Sequence, residues 1–257
     1  MNYISQEIKG HVLMMGLNRA EKMNAFNVQM LQELSESYSR LEDDSNLRCG
    51  LLFSHGDHFT AGLDLGEVAA SIKKGHTLFP GDQVDPLQLF GRKRTKPVVV
   101  AVSGYALTIA IELILANDIC VASSTTKFGQ IEIKRGIFPF GGATIRFSQR
   151  CGWGNAMRYL LTGDMFDAGE ALRIGLIQEI TEGSPIERGM EIANTIASQA
   201  PLGVQASLTN AATAIEKGKE AARDNLMPTL LRLMDSEDAR EGINSFLERR
   251  EAVFKGK

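Results

Sequence analysis

Between Lys96 and Asp118 the chain carries a single charged residue, Glu112, set among Ile109, Ala110, Ile111, Leu113, Ile114 and Leu115. Folding such a segment strips the carboxylate of water. An ionised, unpaired carboxylate there would be costly, so its pKa must rise or it must find a partner. Groups perturbed in this way are enriched at catalytic sites; a core glutamate bonded to main chain is the alternative reading.

Two turns stand out beside it. Phe59-Thr-Ala-Gly-Leu-Asp-Leu65 and Ser103-Gly-Tyr-Ala-Leu107 each read as a turn that opens a helix. N–H groups at a helix start point outward unpaired and can receive developing negative charge. Singly, each turn is only a capped helix; facing one another, they would form an oxyanion hole from main chain alone. Other chemistries find less support. His55 and His58 sit two apart around Asp57 in a polar loop with no third metal ligand nearby. The sequence contains no GxSxG, GxGxxG or GxxxxGK[ST]. The basic cluster Arg92, Lys93, Arg94 and Lys96 reads as a solvated helix end.

The elements that must position these residues alternate. His11–Gly16, Arg48–Ser54, Val98–Val102 and Ile119–Ala122 read as strands, interleaved with helices over 26–41, from Asp64, up to Thr95, and over 107–115. Asp64 and Glu67 form a candidate N-cap and N3 pair. Ser71–Pro86, punctuated by Gly and Pro, is expected to be a mobile excursion. This alternation is the pattern of a layered α/β core. From Gly141 onward helices dominate, and Thr181–Pro185 reads as a joint before a helical C-terminal part, giving a core over 1–183 and a helical region over 184–257.

Composition narrows the class. The 257 residues are 44% hydrophobic, enough for one large core, and the well-mixed charges summing to −3 make no case for nucleic-acid binding. The 97–116 run is long enough to cross a bilayer, but Glu112 and the Ser103-Gly104 turn split it, so no membrane span is expected. Cys49, Cys120 and Cys151 show no CxxC spacing, and the N-terminal residues lack a signal-peptide layout. A soluble, cytoplasmic protein is expected.

Four blocks, in order, resemble the crotonase superfamily of enoyl-CoA hydratases and isomerases. Leu17-Asn-Arg-Ala-Glu-Lys-Met-Asn-Ala-Phe26 is similar to that family's LNRPxxxNA block. Gly56-Asp-His-Phe-Thr-Ala-Gly-Leu-Asp-Leu65 is similar to GxxFxAGxDL, and Gly104-Tyr-Ala-Leu-Thr-Ile-Ala-Ile-Glu-Leu113 to GxAxGGGxEL. The segment from Phe128 to Gly142 is similar to FGxPExxxGxxPxxGG. Arg146, Gly163, Ala168, Ala171, Gly175 and the Phe246–Arg250 ending also fall where the pattern expects them.

The resemblance implies an α/β crotonase (ClpP-like) spiral of ββα turns, with two perpendicular sheets and a C-terminal helical region used in trimers or hexamers. It implies an acyl-CoA thioester as substrate, with no metal and no redox cofactor. Carried over residue by residue, it makes Glu112 and Glu132 the catalytic pair and the N–H groups of Leu63 and Ile109 the oxyanion hole. It places CoA near Lys22, Ala25, Ala61, Leu63, Asp64 and Leu65, with Phe254 and Lys257 added from a neighbouring subunit. Retention of both glutamates points to a hydratase. An isomerase, a thioester hydrolase and a non-catalytic acyl-CoA or protein-binding member of the fold are the rivals. Two departures matter: Thr108-Ile109-Ala110 replaces the glycine run, with side chains expected to crowd the acyl channel, and Ile131 replaces the proline before Glu132.

Overall fold

The structure, a computed structural model, describes residues 2–257. Its order is β1 (Ile4–Lys9), β2 (Val12–Leu17), α1 (Val28–Asp43), β3 (Cys49–Ser54), α2 (Leu65–Lys73), β4 (Val98–Val102), β5 (Tyr105–Leu107), α3 (Ile109–Ala116), β6 (Ile119–Ser123), β7 (Lys127–Gly129), α4 (Ala143–Cys151), α5 (Trp153–Thr162), β8 (Met165–Asp167), α6 (Ala168–Arg173) and β9 (Glu179–Thr181). The helices α7 (Pro185–Ala197), α8 (Pro201–Lys217), α9 (Lys219–Asp224), α10 (Leu226–Met234) and α11 (Glu237–Glu248) follow. No helix among the described residues is long and apolar enough to cross a membrane.

The strands form a six-stranded sheet, β1-β2-β3-β4-β6-β9, antiparallel only at β1–β2, and a three-stranded sheet, β5-β7-β8. The chain winds between them. A strand in the large sheet (β4, then β6) leads to one in the small sheet (β5, then β7) and then into helical chain, which is the expected ββα spiral.

The central strands are apolar throughout because both faces of the large sheet are covered. Leu13, Met15, Leu52, Val98, Val100 and Val102 face the main core with α1 and α3, while Val12, Met14, Leu51, Phe53, Val99 and Ala101 face a second cluster that includes Ala193 and Ala197 of α7. Alternation of period two thus sorts one hydrophobic strand onto two cores. The helix that opens the C-terminal region, α7, therefore closes this second face.

Several local expectations change. No helix leads directly up to Thr95. Residues 74–97 instead form a loop pinned by buried Asp85, whose carboxylate accepts the N–H groups of Leu87, Leu89 and Phe90 at 2.8 Å each. The basic cluster is not a solvated helix end: only Arg92 and Lys93 reach surface partners, Asp43 and Glu216. Arg94 pairs with Asp118 at 2.8 Å, and buried Lys96 donates to the carbonyls of Leu41 and Asp44 at the end of α1. Asp64 makes no side-chain cap; it pairs with Arg19 at 3.1 Å, and Glu67 accepts from Val28 N.

Helix α3 is buried along its whole length, and its C-terminal carbonyls cannot turn to water. Arg150 of α4 supplies donors to the carbonyls of Ile114, Leu115 and Asn117 at 3.0–3.2 Å, and Arg94 donates to that of Ala116 at 2.9 Å. Replacing Arg150 with methionine leaves three carbonyls without these donors. We expect it to cost about 3 kcal/mol, or roughly 6–12 °C in Tm, measured by urea and thermal unfolding; a loss under about 0.5 kcal/mol would show that the clamp contributes little.

Candidate active site

The two glutamates are brought together by strand pairing. Strands β5 and β7 run side by side in parallel, with Leu107 opposite Gly129, and Thr108 N donates to the Gly129 carbonyl at 2.8 Å. Helix α3 leaves the first strand and carries Glu112 in its first turn; the Glu132–Arg135 3-10 turn leaves shortly after the second. Both side chains are buried, at 5% and 7% exposure.

Each carboxyl group has one oxygen held and one oxygen free. Glu112 Oε1 accepts from Gly141 N at 2.6 Å and Ala143 N at 3.3 Å, while Oε2 takes no protein hydrogen bond among the described residues. Glu132 Oε1 accepts from Gln130 Nε2 at 2.8 Å, and its Oε2 is buried without a partner. Gly141 has no side chain for steric reasons: a Cβ there would collide with the Glu112 carboxyl group. Burial, reinforced by the charge of Glu132, pushes Glu112 up to about 7 against the two backbone donors. Burial likewise pushes Glu132 up to about 7 against its hydrogen bonds, including that from Gln130. Near neutral pH both acid and base forms are therefore populated, as general acid–base work requires.

The two turns meet as well. The segment after β3 bridges Thr60 to Ala106 and Leu63 to Phe26, so it lies between β5 and the chain entering α1. A Cβ on Gly62 (φ +109°) would run into Thr108 Oγ1, which places the Leu63 turn directly against the start of α3. Neither Leu63 N nor Ile109 N donates to a protein group among the described residues.

Thr108 holds φ 54° and ψ −109°, a conformation natural to glycine and strained for a β-branched residue. Its hydroxyl is buried without a partner. The backbone of the glycine run is thus kept without its glycine. The expected crowding by Ile109 does not occur: that side chain, 1% exposed, belongs to the main core.

Residues 19–26 and 61–65 form one continuous surface. Ala61 N donates to the Met23 carbonyl, Phe26 N to the Gly62 carbonyl, and Arg19 Nη1 to the Ala25 carbonyl and to Asp64. Lys22 is exposed there and makes no ion pair among the described residues. Phe254 and Lys257 lie elsewhere. The Phe254 carbonyl accepts from Arg48, just before β3, and the Lys257 carbonyl from Asp238 N on α11. Arg48 precedes β3, whose six residues run about 20 Å toward the opposite end, from which the chain continues to the Leu63 turn.

Residues 7–257 match the family model described as Enoyl-CoA hydratase/isomerase. The chain belongs to the enoyl-CoA hydratase/isomerase family. It is 32% identical to Enoyl-CoA hydratase EchA19 of Mycobacterium tuberculosis, over 98% of this chain and 96% of the relative. It is also 32% identical to (E)-benzylidenesuccinyl-CoA hydratase of Thauera aromatica, over 98% and 99%. The crystal structure of a probable enoyl-CoA hydratase/isomerase from Mycobacterium abscessus superposes with a TM-score of 0.96 at 50% identity, covering 99% of both chains.

Within this family framework, the histidines singled out from the sequence are structural. His55 Nε2 lies 2.7 Å from Ser5 Oγ, and His58 Nδ1 accepts from Tyr105 N at 3.2 Å. Gln130 and the N–H groups of Gly141 and Ala143 are site residues that the sequence reading missed. A buried amide two positions before Glu132 was the available signal for the first; the others act through main chain alone.

Two outcomes test this geometry. Because the folded-state pKa of Glu112 lies above its usual 4.5, the fold is favoured in acid. Its contribution is complete below about 4.5 and lost as pH rises through about 7. Glu112→Gln should therefore flatten the fall in unfolding free energy between pH 4.5 and 8 by on the order of 3 kcal/mol; an unchanged slope would show a carboxylate of ordinary pKa. Thr108→Gly should raise stability by about 1 kcal/mol, since it relieves the strain and the orphaned hydroxyl at a smaller entropic cost. Denaturant midpoints measured on both proteins decide this.

Proposed function

We propose that the chain hydrates 2-enoyl-CoA thioesters, using Glu112 and Glu132 as an acid–base pair and the N–H groups of Leu63 and Ile109 as the oxyanion hole. The observation that carries this reading is the pair of buried carboxyl groups, each with one oxygen tied and one free, both near pKa 7. In this mechanism the thioester oxygen accepts from the two N–H groups, which draws electron density from the C2–C3 double bond. One glutamate, ionised, takes a proton from water as its oxygen bonds to C3. The double-bond electrons move into the enolate, and the other glutamate, protonated, gives its proton to C2. The proton gained by the first glutamate restores the second. Each hole donor contributes about 3 kcal/mol of transition-state stabilisation in comparable sites.

CoA is proposed to lie along the surface of residues 19–26 and 61–65, with Lys22 beside its phosphates, Ala25, Ala61, Leu63 and Leu65 in contact, and the Asp64 charge offset by Arg19. Phe254 and Lys257, too far away within one chain, would serve a neighbouring subunit's site. A homotrimer or hexamer is supported by the exposed apolar residues Leu226, Met227, Leu230, Leu231 and Met234 of α10, with Phe246 and Leu247 of α11. The chemistry needs no metal or redox cofactor, since CoA enters as part of the substrate. Three buried free cysteines suit a reducing, cytoplasmic setting.

The deciding measurement is turnover on 2-enoyl, 3-enoyl and saturated acyl-CoAs. Hydration of the 2-enoyl substrate should dominate, and Glu112→Gln and Glu132→Gln should each reduce kcat about 10²–10⁴-fold. Migration of the 3-enoyl double bond without hydration would make the chain an isomerase, and CoA release from the saturated thioester a hydrolase. Tight acyl-CoA binding with no turnover would leave the non-catalytic reading.

A further inference from the structure

A cavity of about 250 Å³ is bounded by Ile72 of α2, by Phe79, Leu87, Leu89 and Phe90 of the 74–97 loop, and by Phe140. Two of its lining residues, Leu87 and Phe140, border the Gly141 backbone that holds Glu112. Leu87 Cδ1 lies 2.9 Å from the position a Cβ on Gly141 would take, a point that also touches the Glu112 carboxyl group. Phe140, next along the chain from Gly141, lines the same space. At the other side Phe90 is 75% exposed, so the cavity reaches solvent there.

Its lining is apolar, and its one acid is spent. Both oxygens of Asp85 already accept backbone N–H groups, from Leu87 on one side and from Leu89 and Phe90 on the other. No lysine or arginine lines the cavity, and His76, its one basic side chain, bonds to Ser71. A terminal carboxylate on a ligand would be desolvated beside Asp85 with no cation to pair with, whereas methylene groups would meet only carbon. An apolar protein cavity of about 150 Å³ takes up benzene, six carbons, so at the same ratio this one takes about ten.

Building on the hydratase reading, we propose that this cavity receives the acyl tail and makes the chain selective for 2-enoyl-CoAs of medium length with apolar tails. Crotonyl-length groups leave it unfilled, and ω-carboxylated groups are rejected.

The test is a kcat/KM series on the intact protein with 2-enoyl-CoAs of four, six, eight, ten and sixteen carbons, plus a six-carbon ω-carboxylated 2-enoyl-CoA. Alongside it, competition binding uses saturated acyl-CoAs of the same lengths. We expect kcat/KM to rise about threefold to fourfold per added methylene through the ten-carbon substrate and to level off at about thirteen carbons, about ten in the cavity beyond the three held at the glutamates. The ω-carboxylated substrate should fall about a hundredfold or more below its plain six-carbon counterpart. Ile72→Trp, which fills the cavity from α2, should compress the eight-to-four-carbon ratio at least tenfold. Should that variant fail to fold, the wild-type series alone decides. A profile flat or falling with length, or equal turnover of the ω-carboxylated substrate, overturns the inference while the hydratase reading stands. If no enoyl-CoA is hydrated, the hydratase reading falls, and the binding series still decides: affinity rising with length supports the cavity's role, and affinity independent of length removes it.

Discussion

Helix α3 ends inside the protein, so its last carbonyls need donors that water cannot supply. Arg150 and Arg94 provide them, and Asp118 in turn neutralises Arg94. With its C-terminus secured in this way, the helix can bury every side chain and still leave its first N–H, that of Ile109, unpaired. Glu112 sits in the same first turn, so the clamp positions a proposed proton-transfer group and a proposed oxyanion donor together. Small displacements of either would matter for chemistry, and one rigid, fully packed element carries both.

The second dependence is on the small sheet. Its strands are only three residues long, yet the β5–β7 pairing is what sets Glu132 beside Glu112. The two cores on opposite faces of the large sheet hold the framework, while the small sheet aligns the loops that leave it. The pairing of the two carboxyl groups is therefore a product of register rather than of a local motif.

Much of this was legible in the residues. A lone carboxylate in an apolar run marks Glu112 because the cost of burying charge is high and general. Periodicity located α1 and α3 to within two residues. What stayed hidden depends on partners distant in sequence. Strands as short as β5, β7, β8 and β9 carry too few residues to show a period, and β1, largely solvent-facing, has no apolar alternation to read. Arg94 and Lys96 look like surface charges until Asp118 and the end of α1 are placed beside them. Asp85 ties the 74–97 loop through main-chain donors, which leave no mark in composition. The strain at Thr108 is equally invisible, since only neighbouring backbone compels its φ.

That strained position bears on how such a site diverges. Where the electrophilic wall of a pocket is main chain, no ordinary codon change deletes a donor; only proline would. Position 108 carries a side chain on a backbone path natural to glycine. Substitutions can therefore explore the floor of the pocket residue by residue, altering its shape and polarity, without first removing the main-chain donors proposed to polarise the thioester. Innovation in substrate preference is cheap here in a way it would not be if the donors were side chains.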